Sequence, residues 1–458
     1  MPPAPNPAPS ADVRPGRLSA EEYALRFSDA NPAMTSAQAV LEAERCLYCF
    51  DAPCANACPT HIDVPSFIRR IADGNLRGSA HTILDANPLG GMCARVCPTE
   101  VLCEQVCVRT KQEDRPVQIG RLQRHAVDAL MFDPTAAPLF VRAAETGKRV
   151  AVVGSGPAGL ACAHTLARLG HSVVMFDARP KAGGLNEYGL AAYKTPEGYA
   201  QRELAWLLSI GGIEVHTNWT LERAAQLAEL RQQYDAVFLG MGLAGTHPLN
   251  VPGEELAGVQ DAVDFIATLR QTSDLATLPI GRRVVVIGGG MTAIDAAVQS
   301  KLLGAESVSM VYRRGPQHMS ASGAEQEWAQ THGVMIHHWL APVEIMGVGA
   351  VSGVRFARQK WTDGCLVESG ESRVIKADMV FKAIGQQLLS SVLADAGVRL
   401  QGGRIATDAA GLTSLAGVWA GGDCRAGGLD LTVEAVEHGK RSAHAIHARL
   451  QPAAAPQN

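Results

Sequence analysis

The sequence has no apolar run approaching the roughly 18 residues that cross a bilayer. It has no basic excess either: 41 Lys and Arg stand against 45 Asp and Glu, a net charge of −4. The first absence argues against a membrane-spanning chain. The second removes the electrostatic reason to expect nucleic acid or an anionic membrane surface as a partner. The opening segment, Met1–Arg17, is rich in Pro and Ala and lacks a positive start followed by an apolar stretch, so it does not read as a secretory signal. Beyond residue 107 thiols are scarce. Cys162, Cys365 and Cys424 stand singly, with no C-x-x-C or C-x4-C pair.

What is present is unevenly distributed. The 458 residues predict about three domains at roughly 150 residues each, and 47% hydrophobic residues suit a globular protein. Glycine is 46 of 458, above the usual share of about 7%, which predicts tight turns or close backbone approach to ligands. Eight of the 11 cysteines fall between Cys46 and Cys107. A secreted disulfide scaffold is short and stapled throughout. Thiols gathered in one segment of a long chain point to metal binding in a reducing cytoplasm.

The chain divides into zones. Residues 1–17 and 451–458 are Pro/Ala-rich and predict disordered tails. Residues 18–147 read as a helical domain: SAQAVLEAER leads into the first cysteines, and Asp63 is a candidate N-cap with Pro65 in the first turn. DPTAAPLF, about residues 133–140, reads as a linker. From Lys148 the pattern becomes strand, glycine turn, helix, strand, and it recurs with Gly154 and Gly288 134 residues apart, an internal duplication. Parallel βαβ units imply doubly wound sheets. The boundaries read as 148–255 plus 377–458 for one nucleotide domain and 256–376 for a second.

In Gly154-Ser155-Gly156-Pro157-Ala158-Gly159, Gly154 permits the turn, Gly156 lets a diphosphate approach and Gly159 lets helix and strand pack. Asp177 ends the next strand, where a carboxylate can bind ribose hydroxyls. The second motif is Gly288-Gly289-Gly290 with Ala293 in the last small position. Its next strand ends Tyr312-Arg313-Arg314, and Arg accommodates a 2′-phosphate where an acid would hold a 2′-hydroxyl. Two such sites suggest a flavin and a nicotinamide cofactor.

The segment Thr413–Asp423, ending Gly421-Gly422-Asp423, resembles the late signature of two-dinucleotide-binding flavoproteins, in which the Asp contacts the ribityl chain. The helix after it could aim its N-terminal dipole at the flavin. Gly240-Met241-Gly242 and Ala383-Ile384-Gly385 resemble the crossover strands between the two domains. Gly184, Thr432 and Val433 complete the cofactor-binding candidates. Many members of that superfamily carry a redox Cys pair. Its absence here, with Cys162 read as a core thiol, argues against a disulfide reductase.

Electrons can leave through the N-terminal cysteines. Cys46-x2-Cys49-x4-Cys54-x3-Cys58-Pro59, Cys93-x3-Cys97-Pro98 and Cys103-x3-Cys107 are related to, but wider than, the ferredoxin run. Structural zinc is the alternative for four-Cys sites, but a redox flavoprotein has no evident use for it. RCLYCFDAPCANACPTHIDVPSFI, NPLGGMCARVCPTEVLCEQVC and PVQIGRLQRHAVD closely resemble the N-terminal domain of dihydropyrimidine dehydrogenase, and above all the small electron-input subunit of the two-subunit bacterial enzyme. The resemblance spans about residues 36–450.

That resemblance implies FAD, NADPH (NADH as the alternative) and two [4Fe–4S] clusters. Cys46, Cys49, Cys54 and Cys107 would hold one cluster; Cys58, Cys97, Cys103 and the Gln123 amide oxygen the other. Counting cysteines alone would put Cys93 in place of Gln123. The chain ends before the FMN barrel of larger relatives, so the implied partner is an FMN/iron–sulfur barrel subunit that reduces uracil or thymine, in a hetero-oligomer. Flavin would take a hydride from NAD(P)H and release single electrons to the clusters; no residue here is singled out as a general acid. Two departures stand out. Met291 replaces the family's usual Asp, and Arg313-Arg314 resembles the NADPH-type strand end of the glutamate synthase small subunit, whereas the bacterial pyrimidine enzyme is linked to NADH. The glutamate synthase small subunit, with the same domain plan, is the main rival; a non-catalytic assembly module is the other.

Overall fold

The computed structural model describes residues 10–451, and its contacts divide the chain into two compact units. One comprises residues 31–187, 197–244 and 387 onward. The other takes the chain up to Ala30, Tyr188–Pro196 and Gly245–Gln386.

The first unit begins with short helices: Ser36–Ala43, Val64–Ala72, Leu76–Ala86, Gly90–Val96 and Ile119–Met131. Their starts are legible locally. Asp63 accepts from the Ser66 amide at 3.1 Å with Pro65 in the first turn, as expected, and Thr35 and Gln38 form a reciprocal cap. In Val64–Ala72 the apolar residues Val64, Phe67, Ile68 and Ile71 recur at helical spacing and are all buried. They pack with Ile83, Leu84, Leu122 and Val127 into one core.

The same unit contains a five-stranded parallel sheet, ordered Val418–Ala420, Ala236–Leu239, Arg149–Val153, Ser172–Phe176, Ile213–His216. Helix Pro157–Arg168 follows the first glycine turn and packs on the last helix, Thr432–Leu450. A Cβ at Gly439 would lie 2.1 Å from the Ala158 carbonyl oxygen, so only glycine permits this approach.

A buried polar knot fastens the helical region to the flavin-type region. Glu203, on helix Tyr199–Leu208, accepts from the amides of Gly91 at 2.9 Å and Met92 at 3.0 Å, which open helix Gly90–Val96. Arg95 in that helix donates from Nη2 to both carboxylate oxygens of Asp128 at 2.9 and 2.8 Å, and its guanidinium lies 3.4 Å from the centre of the Tyr199 ring. Every member is buried, so each needs the others.

The second unit holds a second five-stranded parallel sheet, ordered Val259–Asp261, Met379–Lys382, Arg283–Ile287, Ser307–Tyr312, Val334–His338. An antiparallel meander of Leu340–Val348, Ala350–Thr362 and Cys365–Lys376 adds to it. Tyr193 and Lys194 anchor the excursion Tyr188–Pro196 here. Lys194 Nζ lies 2.7 Å from Asp295 and 3.2 Å from Glu325.

At the N-terminus the structure differs from the sequence reading. Residues 1–9 of the expected tail, and 452–458 of the other, lie outside the described residues. The Arg14 amide donates to the Ile280 carbonyl at 3.3 Å and the Arg14 carbonyl accepts from the Ile280 amide at 3.0 Å, and helix Ala20–Arg26 buries Tyr23 in the core of the second unit. Residues 10–17 are therefore not a free tail, and the segment 18–30 belongs to the second unit and not to that of the cysteine helices. The Ile280 backbone groups need partners, and no local pattern in residues 10–17 announces that pairing.

Burial pushes the Glu203 carboxyl up to about 8, so the fold favours its neutral form. Its contribution is present below the unfolded value of 4.5 and is lost as pH rises through about 8. Glu203→Gln keeps an acceptor oxygen and cannot ionise. Thermal midpoints of the two proteins should converge near pH 5, and the variant should lead by a few degrees near pH 8, about 2–4 °C per kcal/mol. A constant difference across that range would show that Glu203 does not change its ionisation in the fold.

Candidate functional site

The cysteines enclose a recess. Cys46, Cys49, Cys54 and Cys107 line a cavity of about 380 Å³, open mouth included, together with apolar residues such as Leu47, Val64 and Ile68. The loop that delivers them is bent at three non-glycine residues with positive φ: Tyr48 at 50°, Ala52 at 39° and His61 at 53°. Such strain gathers where backbone must wrap a ligand. Burial pushes the Cys54 thiol up to about 12, and burial together with Cys107 and Cys49 raises Cys46. Thiols this reluctant to ionise in an apolar recess need a cationic centre to become thiolates. Among the described residues no three His, Cys, Asp or Glu side chains converge as ligands of a single ion do.

The remaining thiols form a second group. Burial drives Cys97 well up, with Cys93, Cys103 and Cys58 close enough to add to the shift. Gln123 is buried on Ile119–Met131 and donates from Nε2 to the Gly90 carbonyl at 2.6 Å, which fixes its amide against the helix leading to Cys97. Cys93 is buried in that helix. Both contenders for the fourth position thus sit on elements bordering the group.

The first glycine turn is built for close approach. Gly154 has φ 97°, and a Cβ there would lie 2.2 Å from the Gly240 carbonyl; at Gly159 it would lie 1.9 Å from the Gly154 carbonyl. Gly156 faces Gly184, where an added Cβ would reach the Gly156 Cα at 2.5 Å. Pro157 and Ala158 open the helix with no side-chain cap at Gly156. Asp177 accepts from the Ser155 amide at 2.8 Å, from the Ser155 hydroxyl, and from the Arg179 amide at 2.8 Å. It therefore holds the turn itself. A carboxylate has about four acceptor positions, so one remains for the ribose role.

Gly422 meets Ala158, where a Cβ would approach that of Ala158 at 3.0 Å, and Asp423 follows it. Burial, with Asp430 and Glu434 nearby, pushes the Asp423 carboxyl up to about 6. Helix Thr432–Leu450 starts without a side-chain cap at Leu431, leaving the Thr432 and Val433 amides for a ligand, and the Thr432 hydroxyl bonds Asn186 at 3.2 Å. These features fit a flavin dinucleotide. Ser155 and Asn186 were not singled out from the sequence. The Gly183-Gly184 pair, both at positive φ, was the available signal for the Asn186 loop.

In the second unit, a Cβ at Gly288 would lie 2.2 Å from the Ala383 carbonyl, and one at Gly289 would strike the Tyr312 ring at 2.5 Å. Gly290 caps helix Met291–Leu302 without a side chain, so Met291 occupies its first position, and Ala293 is fully buried. Arg313 is exposed and Arg314 half-buried. Among the described residues neither guanidinium has an ion pair or hydrogen bond. That fits a nicotinamide dinucleotide with a phosphate at its ribose. Cys162 and Cys424 are buried in the core and Cys365 is exposed.

Comparison with known proteins matches residues 148–439 to the family pyridine nucleotide-disulphide oxidoreductase and residues 23–133 to dihydropyrimidine dehydrogenase domain II, 4Fe-4S cluster. The NAD-dependent dihydropyrimidine dehydrogenase subunit PreT of Salmonella typhimurium is 35% identical over 93% of this chain and 98% of its own. The glutamate synthase [NADPH] small chain of Escherichia coli is 34% identical over 92% of this chain and 93% of its own. Among solved structures, Mycobacterium tuberculosis FprA in complex with NADPH aligns over 66% of this chain and 84% of its own at 19% identity with a TM-score of 0.57. Thioredoxin reductase of T. acidophilum aligns over 66% of this chain and 99% of its own at 23% identity with a TM-score of 0.51. These two speak for the fold alone.

The fourth ligand of the second group can be tested directly. Cys93→Ala should retain the full iron content and spectrum of the wild type, whereas Gln123→Ala should lose or alter one cluster. An amide oxygen carries less charge than a thiolate, which by itself raises the cluster potential. Iron loss in Cys93→Ala alone would restore the all-cysteine assignment.

Proposed function

The chain belongs to the pyridine nucleotide-disulphide oxidoreductase family, with the iron–sulfur domain of dihydropyrimidine dehydrogenase ahead of it, and on that basis we propose that it is the electron-input subunit of a two-subunit dihydropyrimidine dehydrogenase. It is an oxidoreductase that uses NAD(P)H, FAD and iron–sulfur chemistry, of the PreT or glutamate synthase small-chain type. The observation that carries the finer reading is the four-cysteine recess, which lies in the same compact unit as the flavin-type glycine turn. Flavin and clusters, when bound, convert a two-electron donor into a source of single electrons.

The chain's own residues serve that chemistry by holding and orienting. Gly154 makes the turn, Gly156 and Gly159 let a diphosphate approach the start of the helix, Asp177 stiffens that turn through Ser155, and Gly422, Asp423 and the uncapped start of Thr432–Leu450 would face the rest of the flavin. Cys46, Cys49, Cys54 and Cys107 would hold one [4Fe–4S] cluster, and Cys58, Cys97, Cys103 and Gln123 a second. The electron acceptor in this reading is an FMN/iron–sulfur barrel subunit reducing uracil or thymine. A reducing cytoplasm suits seven thiols committed to clusters. Among the described residues no helix is long and apolar enough to cross a membrane. The rival reading, a glutamate synthase small chain, is favoured by Arg313-Arg314, because the relative whose name includes NADPH is of that type. Co-purification separates the two: a barrel subunit supports the pyrimidine reading, a large amidotransferase the other.

Flavin and nicotinamide determinants lie in one polypeptide, so the isolated chain, purified anaerobically, should oxidise NAD(P)H with a dye acceptor and leave uracil untouched. Uracil reduction by the chain alone would refute the division of labour.

Two unpaired guanidinium forks match a phosphate in shape and charge. Replacing Arg313 and Arg314 with Gln should raise KM for NADPH by roughly tenfold or more, a charged hydrogen bond being worth about 1.5–3 kcal/mol. KM for NADH should move far less. A wild-type protein that already prefers NADH strongly would mark the pair as ordinary surface residues.

A further inference from the structure

Outside the cysteine loop, one bulky side chain occupies a backbone conformation it should avoid. Trp339 has φ 62°. It sits at the corner where the chain leaves strand Val334–His338 of the parallel sheet and enters Leu340–Val348 of the meander. Glycine or asparagine turns such a corner without strain; among the described residues outside the cysteine loop, the other non-glycine positions at positive φ are Asn218, Asn250, Asp114 and Asp363, which carry Asn or Asp, and Glu197. A tryptophan there needs a further reason.

Its surroundings supply one. The Trp339 amide donates to the Arg314 carbonyl at 3.3 Å, and its own carbonyl accepts from the Gln359 amide at 2.8 Å. Its ring and the Gln317 side chain both crowd Gly315: a Cβ on that residue would lie 2.7 Å from the ring edge and 2.6 Å from Gln317 Oε1. Gly315 has φ −76° and ψ 167°, open to any residue, so the glycine makes room for the ring and the Gln317 amide and is not required by the backbone. Tyr312 and His338 are register partners immediately before the two segments, which places the Arg313-Arg314 turn and Trp339 side by side past the ends of paired strands. The turn is held again on its far side, where the Tyr312 hydroxyl donates to the His318 carbonyl at 2.6 Å. Among the described residues the guanidinium groups of this braced turn make no ion pair or hydrogen bond.

We propose that Trp339 is a positioning residue for nucleotide choice: its ring and amide hold the Arg313-Arg314-Gly315 turn in the shape that presents both guanidinium groups to a 2′-phosphate. The inference rests on the reading of those arginines as the 2′-phosphate site. Trp339 acts through the turn and contacts no reacting atom. Backbone strain at residue 339 is the cost of placing an aromatic ring at the corner.

The test measures binding of 2′,5′-ADP and of 5′-AMP by calorimetry to the full chain carrying its flavin and clusters, alongside KM for NADPH and NADH and the thermal midpoint. Trp339→Asn and Trp339→Gly both accept the left-handed conformation. Each should keep or raise the thermal midpoint yet weaken 2′,5′-ADP about tenfold, as loss of a preorganised bidentate fork does. Affinity for 5′-AMP and KM for NADH should change less than about twofold, and Trp339→Phe, which keeps a ring, should restore most of the 2′,5′-ADP affinity. Unchanged 2′,5′-ADP affinity in the Asn and Gly variants, equal loss of both ligands, or failure of both variants to fold would each overturn the proposal. The Arg313→Gln/Arg314→Gln protein is the separate arm. If it binds 2′,5′-ADP as well as wild type, the arginine reading falls and takes this inference with it. If it loses that ligand while the Trp339 variants do not, only the role of Trp339 is refuted.

Discussion

The buried carboxyl of Glu203 is the point on which the first unit depends. It takes the two amides that open Gly90–Val96, and that short helix leads directly into Cys97. Without an acceptor those amides would be buried and unpaired, at a cost of about 1–3 kcal/mol each. Arg95, Asp128 and Tyr199 lock the same helix from the other side. A cysteine-bearing region and a nucleotide-binding sheet are thereby held as one compact body, and electron transfer between cofactors demands such fixed spacing.

Strain is concentrated around the candidate ligands. Tyr48, Ala52 and His61 adopt left-handed backbone within the stretch that carries Cys46 to Cys58. Burial opposes ionisation of Cys46 and Cys54. Both costs are offset when a cationic cluster draws the thiolates inward, so the loop is preorganised for a group that stabilises it in return. The glycine turns follow the opposite strategy. Gly154, Gly159 and Gly288 relieve steric conflict by having no side chain, and the Gly154 and Gly288 amides tie their turns to the neighbouring strand through Phe176 and Val311.

The second unit shows how a duplicated plan diverges. Both sheets have five parallel strands with a glycine turn after the central one. Where the first copy places Asp177, the second places Arg313-Arg314, so a carboxylate after the second strand gives way to two guanidinium groups. The antiparallel meander is an addition to the second copy alone, and the corner that feeds it brings Trp339 beside those arginines.

Much of this was written locally. Glycine spacing after apolar strands, the Asp63 cap, the Cys-Pro repeats and the strand-end arginines are short-range patterns, and short-range sterics and hydrogen bonding determine what they form. The resemblance carried by the cysteine segments also implied which four thiols share a recess, a grouping that spacing alone left open because Cys107 joins from another helix boundary. Only the tertiary structure decided the rest. Ser10–Arg17 reads as tail by composition, yet the backbone of Ile280 needed partners from it. Glu203 reads as one more helical glutamate until the fold brings it to amides more than a hundred residues away. Asp177 reads as a ribose ligand, and the turn it faces claimed three of its acceptor positions. Such assignments depend on which distant groups share a dehydrated space, and that is a property of packing which a linear pattern does not encode.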